Sequence, residues 1–238
     1  MILEPPTPRG DPRDDQTPRR PDAETSRRRA AVVHLDESCL GNGREVPTPG
    51  GTGGLIEVRV SQVIERRDFF VHSPDTTNNK MALAGAIGVL QLLSRKGARL
   101  NILVVSDSEY LVRGVREWMP GWRARGWKRK TGDVENLDLW RALEYSLTLH
   151  QAQFAWVRGH NGHPKNEYAN DLAVQAAKSQ ETSEGVIPSG FDAWLSDRRA
   201  SGQYLDYDPD GAFAGLEDRL RAGERFPLDL DAMTPLGG

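Results

Sequence analysis

Two apolar runs that each deliver polar side chains at their C-terminal ends constrain this chain more than any other feature. Ile102 to Val105 has the character of a buried strand; it ends at Asp107, and a stretch dense in Trp and Arg follows. Phe154 to Val157 runs directly into the loop RGHNGHP and a further helical stretch. Strands alternating with helical segments predict an α/β sheet. Open sheets of this kind place ligands and metals in the crevice beyond the carboxyl ends of their strands. Arg, Lys and Trp interleaved over 118–130 suit a nucleic acid.

Three parts follow from composition. Residues 1–30 hold six prolines and seven arginines against six acids, with almost no apolar side chains. Such a segment cannot bury enough surface to order itself and reads as a disordered Pro/Arg-rich arm. Residues 179–238 carry twelve acids against five basic residues and read as an acidic C-terminal extension, with short helices expected at 191–200 and 213–222. The middle, 31–178, retains a net charge of +3 within an overall −3. In that middle a strand is expected from Ala31 to Asp36, a Gly-rich turn over 41–54, and a hairpin in the alternating GLIEVRVSQVIERRDFFV. Helices are expected from Asn78 to Leu93, from Ser108 to a break at Pro120-Gly121, from Asn136 to Leu147, and from Pro164 to Ala177. The expected architecture is an α/β fold, a five-stranded mixed sheet flanked by helices.

The segments LDESCLGNG, TTNNKMAL, SDSEY and WVRGHNGHPKNEYAND occur in the order of a type 1 ribonuclease H, and the middle of the chain resembles that family. The resemblance implies a ribonuclease H-like fold and metal-dependent endonucleolytic cleavage of RNA in RNA–DNA hybrids. It also implies four metal-binding acids, on the first strand, the first helix, after the fourth strand and on the final helix. Asp36 matches the first and Asp107 the third. Ala82 stands at the second and Asn170, followed by Asp171, at the fourth. Asp36, Asp107 and Asn170 are therefore the expected metal ligands, with Asn170 or Asp171 completing the site. Either Glu37 or Glu109 is expected to restore the missing charge, although strand alternation directs Glu37 away from Asp36. His160 matches a loop histidine that assists turnover, and an ordinary imidazole pKa near ~6.5 suits that duty.

For substrate the resemblance implies Asn42 and the TTNN turn (Thr77, Asn78, Asn79) as hybrid contacts, with Glu109 at a position that reads the hybrid. Trp118, Trp122, Arg123, Arg125, Trp127 and Lys128 match a basic protrusion, with Trp118 expected in the core and Trp122 and Trp127 as a platform for the DNA strand. The alternative reading is a catalytically impaired module that binds hybrids or double-stranded RNA. Mg²⁺ is the expected ion and Mn²⁺ its substitute.

DYDPDGAFAGLE (206–217) also fits a calcium-loop pattern through Asp206, Asp208, Asp210, Gly211 and Glu217, although Asp-Pro-Asp-Gly is equally a turn sequence. One cysteine, Cys39, excludes an intramolecular disulfide and a Cys-based zinc cluster. No apolar run approaches the roughly 20 residues of a membrane span. The start lacks the apolar core of a signal peptide. A cytoplasmic monomer without membrane contact is the expectation.

Overall fold

The computed structural model describes residues 29–41, 48–159 and 162–232. Strands β1 (Ala30–Cys39), β2 (Gly50–Val60) and β3 (Val63–Ser73) form an antiparallel meander. Ser61 and Gln62 close the β2–β3 hairpin, both at positive φ, which matches the twist of the strands they join. β4 (Asn101–Ser106) and β5 (Gln151–Trp156) add in parallel on the other side of β1. The sheet order is β5-β4-β1-β2-β3-β6. Its sixth strand, β6 (Ile187–Pro188), comes from the acidic extension and extends the expected five-stranded sheet.

The Gly-rich 41–54 segment is not a turn throughout, because Gly50–Gly54 are the first five residues of β2. Helix α5 (Pro164–Ser179) lies directly on this strand. A Cβ at Gly51 would collide with the Ala173 carbonyl, and one at Gly53 with the Ala169 carbonyl. These glycines are bare strand surface on which a helix backbone rests, a use of glycine that requires no left-handed φ.

One face of the sheet is covered by α1 (Asn78–Ser94), α2 (Glu109–Arg113) and α4 (Leu137–Leu147), which enclose Val33, Leu35, Ile102, Val104 and the fully buried Trp140. After α2 a π-helical turn (Gly114–Trp118) leads into α3 (Met119–Ala124). The expected break at Pro120-Gly121 is absent because Pro120 occupies the first turn of α3, where no N–H is required. The path turns instead at Gly126, with φ +63°.

The acidic extension also packs two helices on the domain. Helix α6 (Phe191–Ala200) coincides with its expected range and packs against α5 through Phe191, Leu195 and Tyr168. Helix α7 (Pro209–Arg221) starts four residues before its expected position, with Asp208 as its N-cap. Its Phe213 and Leu220, with Phe226 beyond it, bury Val32, Leu103, Val105 and Ala155 on the second face of the sheet.

The calcium-loop reading of 206–217 is corrected by this geometry. Asp208 caps α7, Asp210 is paired with Arg66, and Glu217 is buried between Arg59 and Arg221 at 2.7 and 2.9 Å. From Pro209 onward the segment is helical, so the carboxylates cannot wrap one ion.

Candidate active site

Parallel pairing of β1 with β4 brings Asp36 and Asp107 to neighbouring strand ends. Asp36 pairs across β1–β2 with Gly53, on the face covered by α5, and its carboxylate accepts a 2.9 Å hydrogen bond from the Asn166 amide of that helix. Glu37, one residue on, belongs to the opposite face. It pairs with Thr52, whose side chain packs against Gly85 of α1. Alternation therefore does direct Glu37 away from Asp36, as expected. Yet at the strand end both carboxylates still reach Asp107, and oxygens of Asp36, Glu37 and Asp107 all lie within 4.8 Å of one another. Glu37 stands on the α1 side, where Ala82 is buried and offers no oxygen.

The electrostatics follow from crowding three acids, one buried and two half-buried, at a strand end. Burial first, then Asp107 and Glu37, push the Asp36 carboxyl up to about 9, against the opposing pull of the Glu37 N–H and the Asn166 amide. Burial and Asp107 push Glu37 up to about 8, partly offset by a hydrogen bond with Ser108. Without a cation the site holds protons. The donors are hard oxygens, as Mg²⁺ or Mn²⁺ requires, and the buried Asn166 Oδ1 has no hydrogen-bond partner. The residues fit a divalent ion.

The remaining candidates separate. Asn170 is half-buried, one helical turn after Asn166 on α5. Asp171 is turned to the extension: its carboxylate accepts from the Trp194 indole at 2.8 Å and pairs with Arg198 at 3.0 Å, so it holds α6 and does not complete the acid cluster. Glu109 pairs with Arg113 at 3.2 Å on exposed surface and also stands outside the cluster. Of the two compensating acids, only Glu37 joins Asp36 and Asp107. His160 and Asn42 lie outside the described residues. The backbone of Gly159 comes so close to the Asp107 carboxylate that a Cβ there would collide with it.

Thr77 caps α1 by accepting from the Lys80 N–H, and Asn78 and Asn79 fill its first turn. Trp122, expected on the surface as a platform, is buried with its ring edge-on to Trp140 at 5.3 Å. Trp118, expected in the core, is only half-buried. The two roles are exchanged because Gly114 lets the Trp140 ring lie on the helix backbone, and Trp122 then seals that ring. Trp118, Trp122, Tyr110, Arg125, Arg129 and Lys130 line a cleft of about 380 Å³. Trp127 is half-buried beside it, Lys128 is exposed, and Arg123 pairs with Glu144 at 2.6 Å.

Sequence reasoning missed four residues that bond around the site. They are Asn166, Ser108, Trp156, whose indole donates to the Asp107 carbonyl at 2.9 Å, and Asp231 of the extension. Asn166 was within reach, because it lies four residues before Asn170 and so shares its helix face.

A mixed sheet of this order, with three carboxylates converging beside the ends of β1 and β4, defines an α/β protein whose strand-end donors suit a cation. The family model for RNase H matches residues 28–178, and the chain belongs to that family. The ribonuclease H of Pseudomonas paraeruginosa is 43 % identical over 143 residues, covering 60 % of this chain and 89 % of that protein. The ribonuclease H of Cupriavidus necator is 40 % identical over 151 residues, covering 62 % and 95 %. Among solved structures, LC9-RNase H1, described as a type 1 RNase H with the type 2 active-site motif, matches with a TM-score of 0.69 and 44 % identity. That match covers 74 % of this chain and 86 % of the other.

Proposed function

We propose that this chain is an endoribonuclease that hydrolyses the RNA strand of RNA–DNA hybrids, leaving 5′-phosphate and 3′-hydroxyl ends. The observation that carries the reading is the convergence of Asp36, Glu37 and Asp107 at the strand ends of an RNase H fold. Those three carboxylates would hold Mg²⁺, with Mn²⁺ as a substitute, and Asn170 offers a neutral oxygen from α5. A divalent ion held by these residues would supply Lewis acidity to activate water and stabilise the leaving oxygen.

The protein's own groups do the positioning. Asn166 holds one oxygen of Asp36, Ser108 orients Glu37, and the Trp156 indole fixes the Asp107 backbone. His160, the residue after Gly159, assists proton movement or product departure. The cleft of Tyr110, Trp118, Arg125, Arg129 and Lys130 receives the DNA strand through phosphate contacts that carry no sequence information. Thr77, Asn78, Asn79 and Asn42 contact the hybrid, and selectivity comes from 2′-hydroxyls on one strand and their absence on the other. We place the activity in the cytoplasm, in a monomer. No helix among the described residues is long and apolar enough to cross a membrane.

The test is cleavage of an end-labelled RNA–DNA hybrid in Mg²⁺ and in Mn²⁺, beside Asp107→Asn. The reading requires cleavage by the wild type and a loss of at least about a hundredfold in the variant, since the substitution removes a ligand charge used in the chemical step. Tight binding without cleavage in either ion would replace it with a module that only binds hybrids or double-stranded RNA.

A further inference from the structure

β5 is an edge strand, and the C-terminal extension covers its open side. Gln153 bonds the backbone of Glu224 and Phe226 at 2.8 and 3.0 Å. The Trp156 N–H donates to the Leu228 carbonyl at 2.7 Å, and the Leu230 N–H donates to the Trp156 carbonyl at 2.8 Å, as in a short parallel ladder. Arg116, from the π-helical turn, donates to the Phe226 carbonyl at 3.0 Å, the Pro227 carbonyl at 2.6 Å and the Phe154 carbonyl at 2.9 Å, which locks the added segment to β5.

The ladder ends in a carboxylate. One oxygen of Asp231 accepts the Arg158 N–H at 3.0 Å, and the other lies 2.8 Å from Nε2 of His163. Arg158 lies two residues after β5, and His163 is the residue before α5, so a single side chain bridges both ends of the intervening loop. Within that loop the Gly159 backbone rests against the Asp107 carboxylate. Trp156, held on both backbone groups by the extension, also carries the indole that fixes the Asp107 carbonyl. Residues 224–231 lie outside the span matched by the family model, 28–178, so the clamp comes from the chain's added segment.

We propose that Asp231 is a positioning residue for the reaction, through which the C-terminal extension sets how the β5–α5 loop lies against Asp107. The proposal rests on the ribonuclease reading above. A displacement of about 1 Å in a group bordering the reacting centre is enough to cost up to a hundredfold in rate, while the proposed substrate contacts at the cleft and the α1 turn do not include Asp231.

The experiment uses the full chain as wild type, Asp231→Ala, Asp231→Asn, His163→Ala and the Asp231→Ala/His163→Ala double variant. Steady-state hybrid cleavage and hydrogen exchange at the 158–163 amides are measured on each. For Asp231→Ala, kcat is expected to fall about tenfold with KM for the hybrid within about twofold, and loop amides are expected to exchange faster. Asp231→Asn, which keeps an acceptor for the Arg158 N–H and a polar partner for His163, is expected to retain most of kcat. The double variant is expected to lose less than the product of the single losses, because both substitutions cut the same tie. An unchanged kcat in Asp231→Ala overturns the proposal. So does a loss in which kcat and thermal midpoint fall together to the same extent in Ala and Asn variants, since that marks a merely structural residue. A wild type that does not cleave hybrid overturns the ribonuclease reading and this role with it, whereas a cleaving wild type beside an unimpaired Asp231→Ala overturns this role alone.

Discussion

Asp36 and Glu37 illustrate the cost to a fold of crowding carboxylates at a strand end. Both carboxyls are raised in the folded chain, to about 9 and about 8, while in the unfolded chain they return to roughly the ordinary 4. Between those limits the folded state binds more protons than the unfolded state, so these groups favour folding fully below about pH 4 and lose that contribution as pH rises toward 8–9. The metal-free protein is therefore expected to lose thermal midpoint from this site across that window. Asp36→Asn is expected to raise the metal-free midpoint at pH 8 by about 3–6 °C, which differential scanning fluorimetry in EDTA would measure. Added Mg²⁺ should stabilise the wild type more at pH 8 than at pH 6, because each bound ion displaces protons. An Mg²⁺-induced shift of equal size at both pH values would contradict the protonated site. Glu109, paired with Arg113 on the surface, is predicted to be dispensable for the chemical step, with Glu109→Ala retaining single-turnover cleavage within about threefold.

At the scale of elements, the strands and most helices were legible because their signals are local. The period-two alternation of 55–71, the apolar run 102–105 and Pro164 at a helix start each report on a few neighbouring residues. What sequence did not disclose depends on contacts between distant segments. Gly50–Gly54 reads as a turn until α5 is seen lying on it. Trp122 reads as a surface cation-rich platform until Gly114 is seen admitting Trp140 beneath it. The same holds for the site. Asp36 and Asp107 are visible at strand ends, but only the pairing of Glu37 with Thr52 establishes that Glu37 belongs to the face covered by α1. Because Gly53 is helix-contacting strand, Gly53→Ala must push α5, and with it Asn166, away from β1. We expect a loss of about 3 kcal/mol in urea unfolding together with a large fall in hybrid cleavage. A variant as stable as wild type would mean that α5 does not rest on this strand.

At the scale of the whole molecule, the extension is part of the folded body. It adds β6 to one edge of the sheet, covers the other edge at β5, and closes the second face with Phe213, Leu220 and Phe226. Phe213→Ala, which empties a fully buried ring position, is expected to cost about 3–5 kcal/mol, and a matched change on an exposed residue of α7 almost nothing. The molecule that results is an RNase H whose acid cluster draws Asp36 and Glu37 from β1, with Ala82 on the first helix. The most direct test is single-turnover cleavage of a labelled RNA–DNA hybrid in Mg²⁺ by wild type and Glu37→Gln, with folding checked by circular dichroism. The account predicts a folded variant slowed by about a hundredfold or more, because an isosteric amide keeps the shape and removes the third charge. A folded Glu37→Gln that cleaves at the wild-type rate would contradict it.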